Sequence, residues 1–163
     1  MIRPVKIDDA KNIAGIYNHY VRETVITFEE RPVSIGEMSA RIKAISAKYP
    51  WLVMEEDGDV SGYAYANTWK ERYAYRYAAE LSLYLKTGLE GKGRGTRLMK
   101  ALLDAVRKTE LHALVSGITL PNERSVALHE KFGFVKIAQF NEIGFKLGRR
   151  LDVGYWELIP EDR

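Results

Sequence analysis

A chain of 163 residues with 46% apolar and 29% charged side chains has the makeup of a folded domain that buries a core, which excludes a disordered or fibrous protein. It contains no cysteine, so disulfides, thiolate metal sites and a cysteine nucleophile are all excluded. Its net charge of +3 is small and its basic residues are dispersed rather than gathered in a stripe, a pattern that does not point to nucleic acid.

No apolar run approaches the roughly 20 residues of a membrane span, and Met1-Ile-Arg-Pro4 lacks the apolar core of a signal peptide, so the expected address is the cytoplasm. Ile2 to Lys6 reads as a short strand. Asp8 or Asp9 is placed to cap a helix with an apolar face of Ala10, Ile13, Ala14, Tyr17 and Val21, ending at Asn18-His19-Tyr20. Thr24 to Phe28 is β-branched and reads as a loop or short extended segment. Ser34-x-x-Glu37 has the form of a capping box and opens a helix through about Ala47, with Met38, Ile42 and Ile45 inward. Trp51 to Glu55 and Val60 to Ala66 read as strands joined by an Asp57-Gly58 hairpin turn.

Trp69 to Tyr77 interleaves Lys70, Arg72 and Arg76 with Trp69, Tyr73, Tyr75 and Tyr77, which suits neither strand nor helix and reads as a loop. Ala79 to Leu85 is a strand by its alternation. Gly91, Gly93 and Gly95 follow, interleaved with Lys92 and Arg94, and then Leu98, Met99, Leu102, Leu103 and Val106 recur at helical spacing. Leu114 to Leu120 is a further strand. Pro121-Asn122 leads into a helix from Glu123 to Phe132 that Gly133 ends. Phe134 to Asn141, a turn near Gly144 or Gly148, and Asp152 to Leu158 complete an antiparallel pair. With no linker, repeat or low-complexity tract, residues 1–163 are expected to form one α/β domain with a mixed sheet.

A strand, a glycine-rich turn and a helix in succession present backbone N–H groups at the positive end of a helix dipole, which suits a phosphate or pyrophosphate; a solvated basic turn is the plainer alternative. The Gly-x-x-x-x-Gly-Lys-Ser/Thr string of a P-loop is absent, and Gly91-x-Gly93-x-Gly95 does not match the spacing of a dinucleotide-binding turn. Gly93-x-Gly95 between strand and helix instead resembles the acetyl-CoA pyrophosphate loop of the GNAT superfamily, with Glu90 where Gln or Arg is usual. Asn122-Glu-Arg-Ser125, His129 and Gly133-Phe134 resemble the superfamily's second signature, with His129 where many members carry Tyr.

Four further features narrow the resemblance to the phosphinothricin and methionine sulfoximine acetyltransferases: Asn18-His19-Tyr20 with Phe28, Glu80-x-Ser82-x-Tyr84, His129, and Gly144-Phe-Lys-x-Gly148-Arg-x-x-Asp152-Val. The resemblance spans nearly the whole chain. It implies a largely antiparallel twisted sheet flanked by helices, acetyl-CoA as acetyl donor with no metal, a homodimer, and a small amino-acid-like substrate. It implies cofactor contacts from Leu83, Tyr84 and Leu85, from Gly91, Lys92, Gly93, Arg94, Gly95 and Thr96, and from Asn122 and Ser125.

Acetylating an amine requires that an ammonium lose its proton, that the thioester oxyanion be steadied and that a thiolate leave. With no cysteine, direct attack within a ternary complex is expected rather than an acetyl-cysteine intermediate, and no Ser-His-Asp pattern presents itself. Glu80 is the candidate base, raised by burial; the alternatives are solvent or an ion pair with Arg76. His129 is either a structural residue of an apolar helix face or a proton donor or relay beside the thioester, a role for which Tyr84 competes. An amino-acid zwitterion needs a cage, and Phe28, Trp69, Lys70, Arg72 and Tyr73 are the candidates, with Glu80 and Ser82 of the strand. Related enzymes tend to carry Arg directly after this Trp; Lys70 stands here, leaving Lys70 and Arg72 as rival carboxylate ligands. A protein N-terminal acetyltransferase on the same fold and a non-catalytic CoA-binding protein are the competing expectations.

Overall fold

The computed structural model describes residues 1–160; Glu161 to Arg163, the end of the expected domain, lie outside the described residues. Seven strands form a single sheet: β1 (Ile2–Pro4), β2 (Trp51–Glu56), β3 (Asp59–Thr68), β4 (Ala78–Leu85), β5 (Ala113–Leu120), β6 (Val135–Lys146) and β7 (Arg149–Leu158). They lie in the order β1-β2-β3-β4-β5-β7-β6, and every neighbouring pair is antiparallel except β4 with β5. Four α-helices flank them: α1 (Ala10–Glu23), α2 (Ile35–Ser46), α3 (Arg94–Val106) and α4 (Glu123–Lys131).

The alternation of each strand divides the core in two. Leu81, Leu85, Leu114, Ile118 and Trp156 pack against Leu98, Met99, Leu102 and Val106 of α3. On the opposite face Trp51, Val53, Val60 and Tyr63 pack against Ile13, Tyr17 and Val21 of α1 and Met38 and Ile42 of α2. A period-two strand must present a different residue set to each side, and here both sets are covered by helices.

The local signals read from the sequence hold where they are short-range. Ser34 accepts from the Glu37 N–H while the Glu37 carboxylate accepts from the Ser34 N–H, a reciprocal cap on α2. Asp57 and Gly58 carry the positive φ values of a tight hairpin turn. Other boundaries differ. α1 runs to Glu23, past the expected end at Tyr20, because nothing interrupts it before Thr24, whose hydroxyl donates to the Tyr20 carbonyl at 2.9 Å. Asp9 stands at the α1 N-cap position, yet its carboxylate does not cap that helix: it accepts from Arg3 at 2.9 Å and from the Lys6 N–H at 2.7 Å. The turn between the last two strands is at Leu147-Gly148, and Gly144 lies inside β6. Among the described residues no helix is long and apolar enough to cross a membrane.

Candidate active site

β4 and β5 pair through only three residues each, Ala78–Glu80 against Ala113–Val115. Beyond that register a cavity of about 620 Å³ opens between them, with Leu81 to Leu85 on one wall and Ser116 to Thr119 on the other. One end of the cavity is Gly91, Gly93, Gly95 and Thr96 at the start of α3; its far side is Asn122, Ser125 and His129 of α4. The two sequence motifs, about 30 residues apart in the chain, therefore face one another across a single cleft.

The glycine turn is built as an anion seat. Gly93 is the N-cap of α3 with φ of +74°, a left-handed conformation open to glycine, and with no side chain it places no acceptor on the first N–H groups of the helix. The charged residues of the turn behave differently from expectation. The Arg94 guanidinium donates to Glu56 at 2.7 Å and to the Leu89 carbonyl at 3.3 Å, so its charge is engaged by β2 rather than offered to the cavity. Lys92 is exposed and does not line the cavity, whereas Glu90 does and accepts from the Gly88 N–H at 2.9 Å.

Along β4, Leu83, Tyr84 and Leu85 line the cavity as extended backbone unpaired with β5, a surface on which an amide chain can add as a strand. The Leu85 carbonyl already accepts the Tyr20 hydroxyl at 2.6 Å. The Tyr84 ring is packed with those of Tyr17, Tyr20 and Tyr63 at centroid distances of 5.3, 5.1 and 5.4 Å, and burial holds its hydroxyl protonated well above the usual phenol range.

His129 is buried at the cavity wall, its ring edge-on to Phe134. Its Nδ1 lies 2.7 Å from the Ser125 carbonyl, which can only accept, so Nδ1 carries the proton and Nε2 is left as an acceptor. Burial pushes the imidazolium pKa down, opposed by that carbonyl, and the ring rests neutral near pH 7. Of the roles left open for this residue, the geometry suits a structural residue or a relay through Nε2 better than a proton donor at rest. Asn122 caps α4 through the Ser125 N–H at 3.2 Å, which leaves its amide at the cavity edge.

Glu80 does not itself line the cavity. Its carboxylate sits against Gly117, a cavity residue, where an added Cβ would lie 3.5 Å from Oε1. Burial pushes the carboxyl up from its ordinary value, opposed by the Lys70 ammonium and the Gly117 backbone. Around it stands an aromatic chamber: Tyr155 pairs across the sheet with Gly117, and Trp69 and Phe140 meet the Tyr155 ring at 5.4 and 5.8 Å. Ser82 pairs with Tyr65 on the adjoining strand. Gly117 thus joins the cleft to the chamber.

The loop after β3 is divided. Lys70 lies over the Trp69 ring at 4.9 Å and acts on Glu80, so of the two carboxylate-binding candidates it is the one placed at the chamber. Tyr73 is 79% exposed, and Arg76 is held between the Tyr73 and Tyr77 rings at 4.3 and 4.4 Å, which removes the Arg76–Glu80 ion pair considered from sequence. Arg72, also exposed, precedes that turn. Phe28 lies against Gly144 of β6 rather than in the cavity wall, where Ile26 appears instead. Ile26, Gly117 and Tyr155 were not singled out from sequence, and Tyr20 was named only within a motif of the resemblance: their places come from pairings between distant elements. Among the described residues no group of three or more His, Asp or Glu is arranged to hold a metal ion.

A family model described as an acetyltransferase (GNAT) domain matches residues 2–154. A phosphinothricin N-acetyltransferase from Streptomyces coelicolor is 35% identical over 170 aligned positions, covering 96% of this chain and 94% of its own. An L-methionine sulfoximine/L-methionine sulfone acetyltransferase from Salmonella typhimurium is 37% identical, covering 92% and 88%. The solved structure of the Salmonella typhimurium acetyltransferase YncA with its cofactor acetyl-CoA superposes with a TM-score of 0.97 at 35% identity, over 100% of this chain and 95% of that one.

Proposed function

The chain belongs to the GNAT acetyltransferase family, and from that membership we propose that it acetylates the α-amine of a small amino-acid analogue of the phosphinothricin, methionine sulfoximine or methionine sulfone type. It is an acetyltransferase, and acetyl-CoA is its acetyl donor. The observation that carries the finer reading is the chamber at Gly117, where a half-buried carboxylate, a lysine and three aromatic rings stand beside the split between β4 and β5.

The donor fits the cleft. The N–H groups at Gly93 to Thr96 would receive its pyrophosphate, unpaired β4 backbone near Leu83 its extended arm, and Asn122 and Ser125 its flank; bound there, it supplies an activated acetyl thioester. The remaining chemistry falls to side chains. Lys70 receives the amino-acid carboxylate and the rings of Trp69, Tyr155 and Phe140 offer an apolar surface to the side chain. Glu80 takes the ammonium proton, directly or through one water, so that the amine attacks within a ternary complex. Tyr84 carries a proton at rest for the departing thiolate, whereas His129 must first take one at Nε2.

Incubating the protein with acetyl-CoA and phosphinothricin, methionine sulfoximine or methionine sulfone, and following thiol release, is expected to give turnover with at least one of the three. Release with peptides alone would replace this reading by the peptide-acetyltransferase one. Acting on such analogues would make the enzyme a detoxifying one, working in the cytoplasm.

A homodimer is part of the same proposal. β6 is the edge strand of the sheet and exposes Val135, Ile137, Ile143, Phe145 and the adjoining Leu147, each more than half accessible. An apolar edge of that kind is expected to be covered by a second copy, and sedimentation velocity at micromolar concentration should show twice the chain mass; a monomer throughout would remove this part of the reading.

A further inference from the structure

The stretch Gly144-Phe-Lys-x-Gly148 has no role in the chemistry above, yet the structure gives a purpose to its two glycines and its lysine. A Cβ at Gly144 would lie 2.4 Å from Cζ of Phe28, so the glycine is what admits that ring against β6. Gly148 completes the turn into β7. Lys146, between them, is only 2% exposed.

Complete burial of a lysine is rare and costs its hydration, so the ammonium must be held. Its Nζ donates to the Thr27 carbonyl at 2.7 Å and to the Tyr20 carbonyl at 3.4 Å. The second of these is among the last four carbonyls of α1, which lack a following turn and sit at the negative end of the helix dipole. Burial pushes the Lys146 pKa down, opposed by the Glu30 and Glu29 carboxylates, which favour its charged form.

Residues 24–30, which the ammonium grips at Thr27, have no regular structure of their own. Side chains from two other elements, α1 and α2, also hold them: the Tyr17 hydroxyl bonds Thr27 Oγ1 at 2.8 Å and also the Glu29 carboxylate, and Arg41 donates twice to Glu29 at 2.8 and 2.6 Å. This short segment puts Ile26 into the wall of the acetyl-CoA cleft and Phe28 onto Gly144. Tyr20, at the other carbonyl, lines the same cleft and bonds β4 at Leu85.

We propose that Lys146 is a positioning residue: its buried ammonium ties the end of α1 to the covering segment at Thr27, and through that tie fixes Ile26 in the wall of the cleft and Phe28 against Gly144 of β6. The inference rests on the proposed function, in which the amine meets the acetyl thioester within this cleft. A segment without helix or strand bonds loses conformational freedom only if something holds it, and one buried ion serving two carbonyls does so from beneath while leaving the upper face to ligand.

The test is Lys146→Met, which keeps the aliphatic stem and removes the ammonium, with Tyr17→Phe as a second variant loosening the same segment from α1. Both are expected to speed amide hydrogen exchange in residues 24–30 while leaving α3 unchanged. Losing charged hydrogen bonds of this kind should raise the KM for phosphinothricin by about tenfold, with kcat changed far less. The dissociation constant of acetyl-CoA, measured by calorimetry, should shift less than the amine KM. Unchanged exchange in residues 24–30 in both variants would overturn the proposal, as would equal losses in acetyl-CoA binding and kcat with no change in amine KM. If Lys146→Met does not fold, Lys146→Gln, which keeps a donor without the charge, is read by the same exchange and KM measurements, because Tyr17→Phe leaves the ammonium in place. If the unmodified protein acetylates none of the amines, the substrate reading fails, and the exchange measurement still decides whether Lys146 fixes the segment.

Discussion

Glu80→Gln is expected to lower turnover at pH 7 by roughly two to three orders of magnitude, inside the 10²–10⁴-fold range of general-base catalysis. The substitution is isosteric, so Gly117 and Tyr155 keep their neighbour and only the capacity to take a proton is lost. Burial raises the Glu80 pKa and the Lys70 ammonium moderates the rise, which places the acid limb of kcat/KM above the ordinary carboxylate range. Activity should therefore climb with pH through that limb in the wild type, and the limb should vanish in the variant. A pH–rate profile unchanged by the substitution would remove Glu80 as base.

Stability supplies a separate check with the opposite sign. A carboxyl whose pKa is higher in the folded than in the unfolded state favours folding below the unfolded pKa, and that contribution is lost as pH rises through the folded value. At pH 7 the ionised Glu80 is thus a cost to the fold that glutamine does not carry. The variant should melt no lower than the wild type while being far slower, the trade expected where a side chain is retained for chemistry. A variant both slow and much less stable would mean instead that Glu80 holds the β4–β5 junction together.

How much of this was legible beforehand follows from the range of each interaction. The Ser34–Glu37 cap, the Asp57-Gly58 hairpin and the apolar faces of α1 and α3 depend on residues within one or two turns of one another, and each appears where its spacing placed it. The cleft was legible for a different reason: the glycine turn and the Asn122 helix each carry a local signature, and the α/β order leaves them on the same side of the split sheet. What escaped depends on distant partners. Arg94 reads as a free cation until Glu56, 38 residues earlier, is found against it. Lys146 reads as one more surface lysine, since nothing near it in the chain announces that the carbonyls of Tyr20 and Thr27 will take it into the interior. Tyr155 gains its place only because β7 pairs with β5 at Gly117, and Asp9 lost its expected capping role to Arg3 on the preceding strand.

The Arg94–Glu56 pairing also decides what the anion seat can be made of. With Arg94 engaged and Lys92 in solvent, the turn's own attraction for a pyrophosphate comes from backbone N–H groups and the α3 dipole, and the cations that line the cleft are Arg124 and Lys131 of α4. Gly93→Ala is then expected to weaken acetyl-CoA binding by roughly 10- to 100-fold, the size of one or two charge-assisted hydrogen bonds. The cause is conformational rather than steric: nothing lies within 4 Å of a Cβ built there, but φ is +74°, a state that costs an L-residue about 1–2 kcal/mol. The alanine chain relieves that strain by turning N–H groups away from the seat. Lys92→Ala, which touches only an exposed charge, should change affinity by no more than a few-fold at 0.15 M salt, where exposed charges are screened within about 8 Å. Calorimetric titration of both variants with acetyl-CoA separates the two sources of affinity. If Lys92→Ala costs more than Gly93→Ala, the seat binds through side-chain charge, and the backbone cradle at Gly93 is not what holds the pyrophosphate.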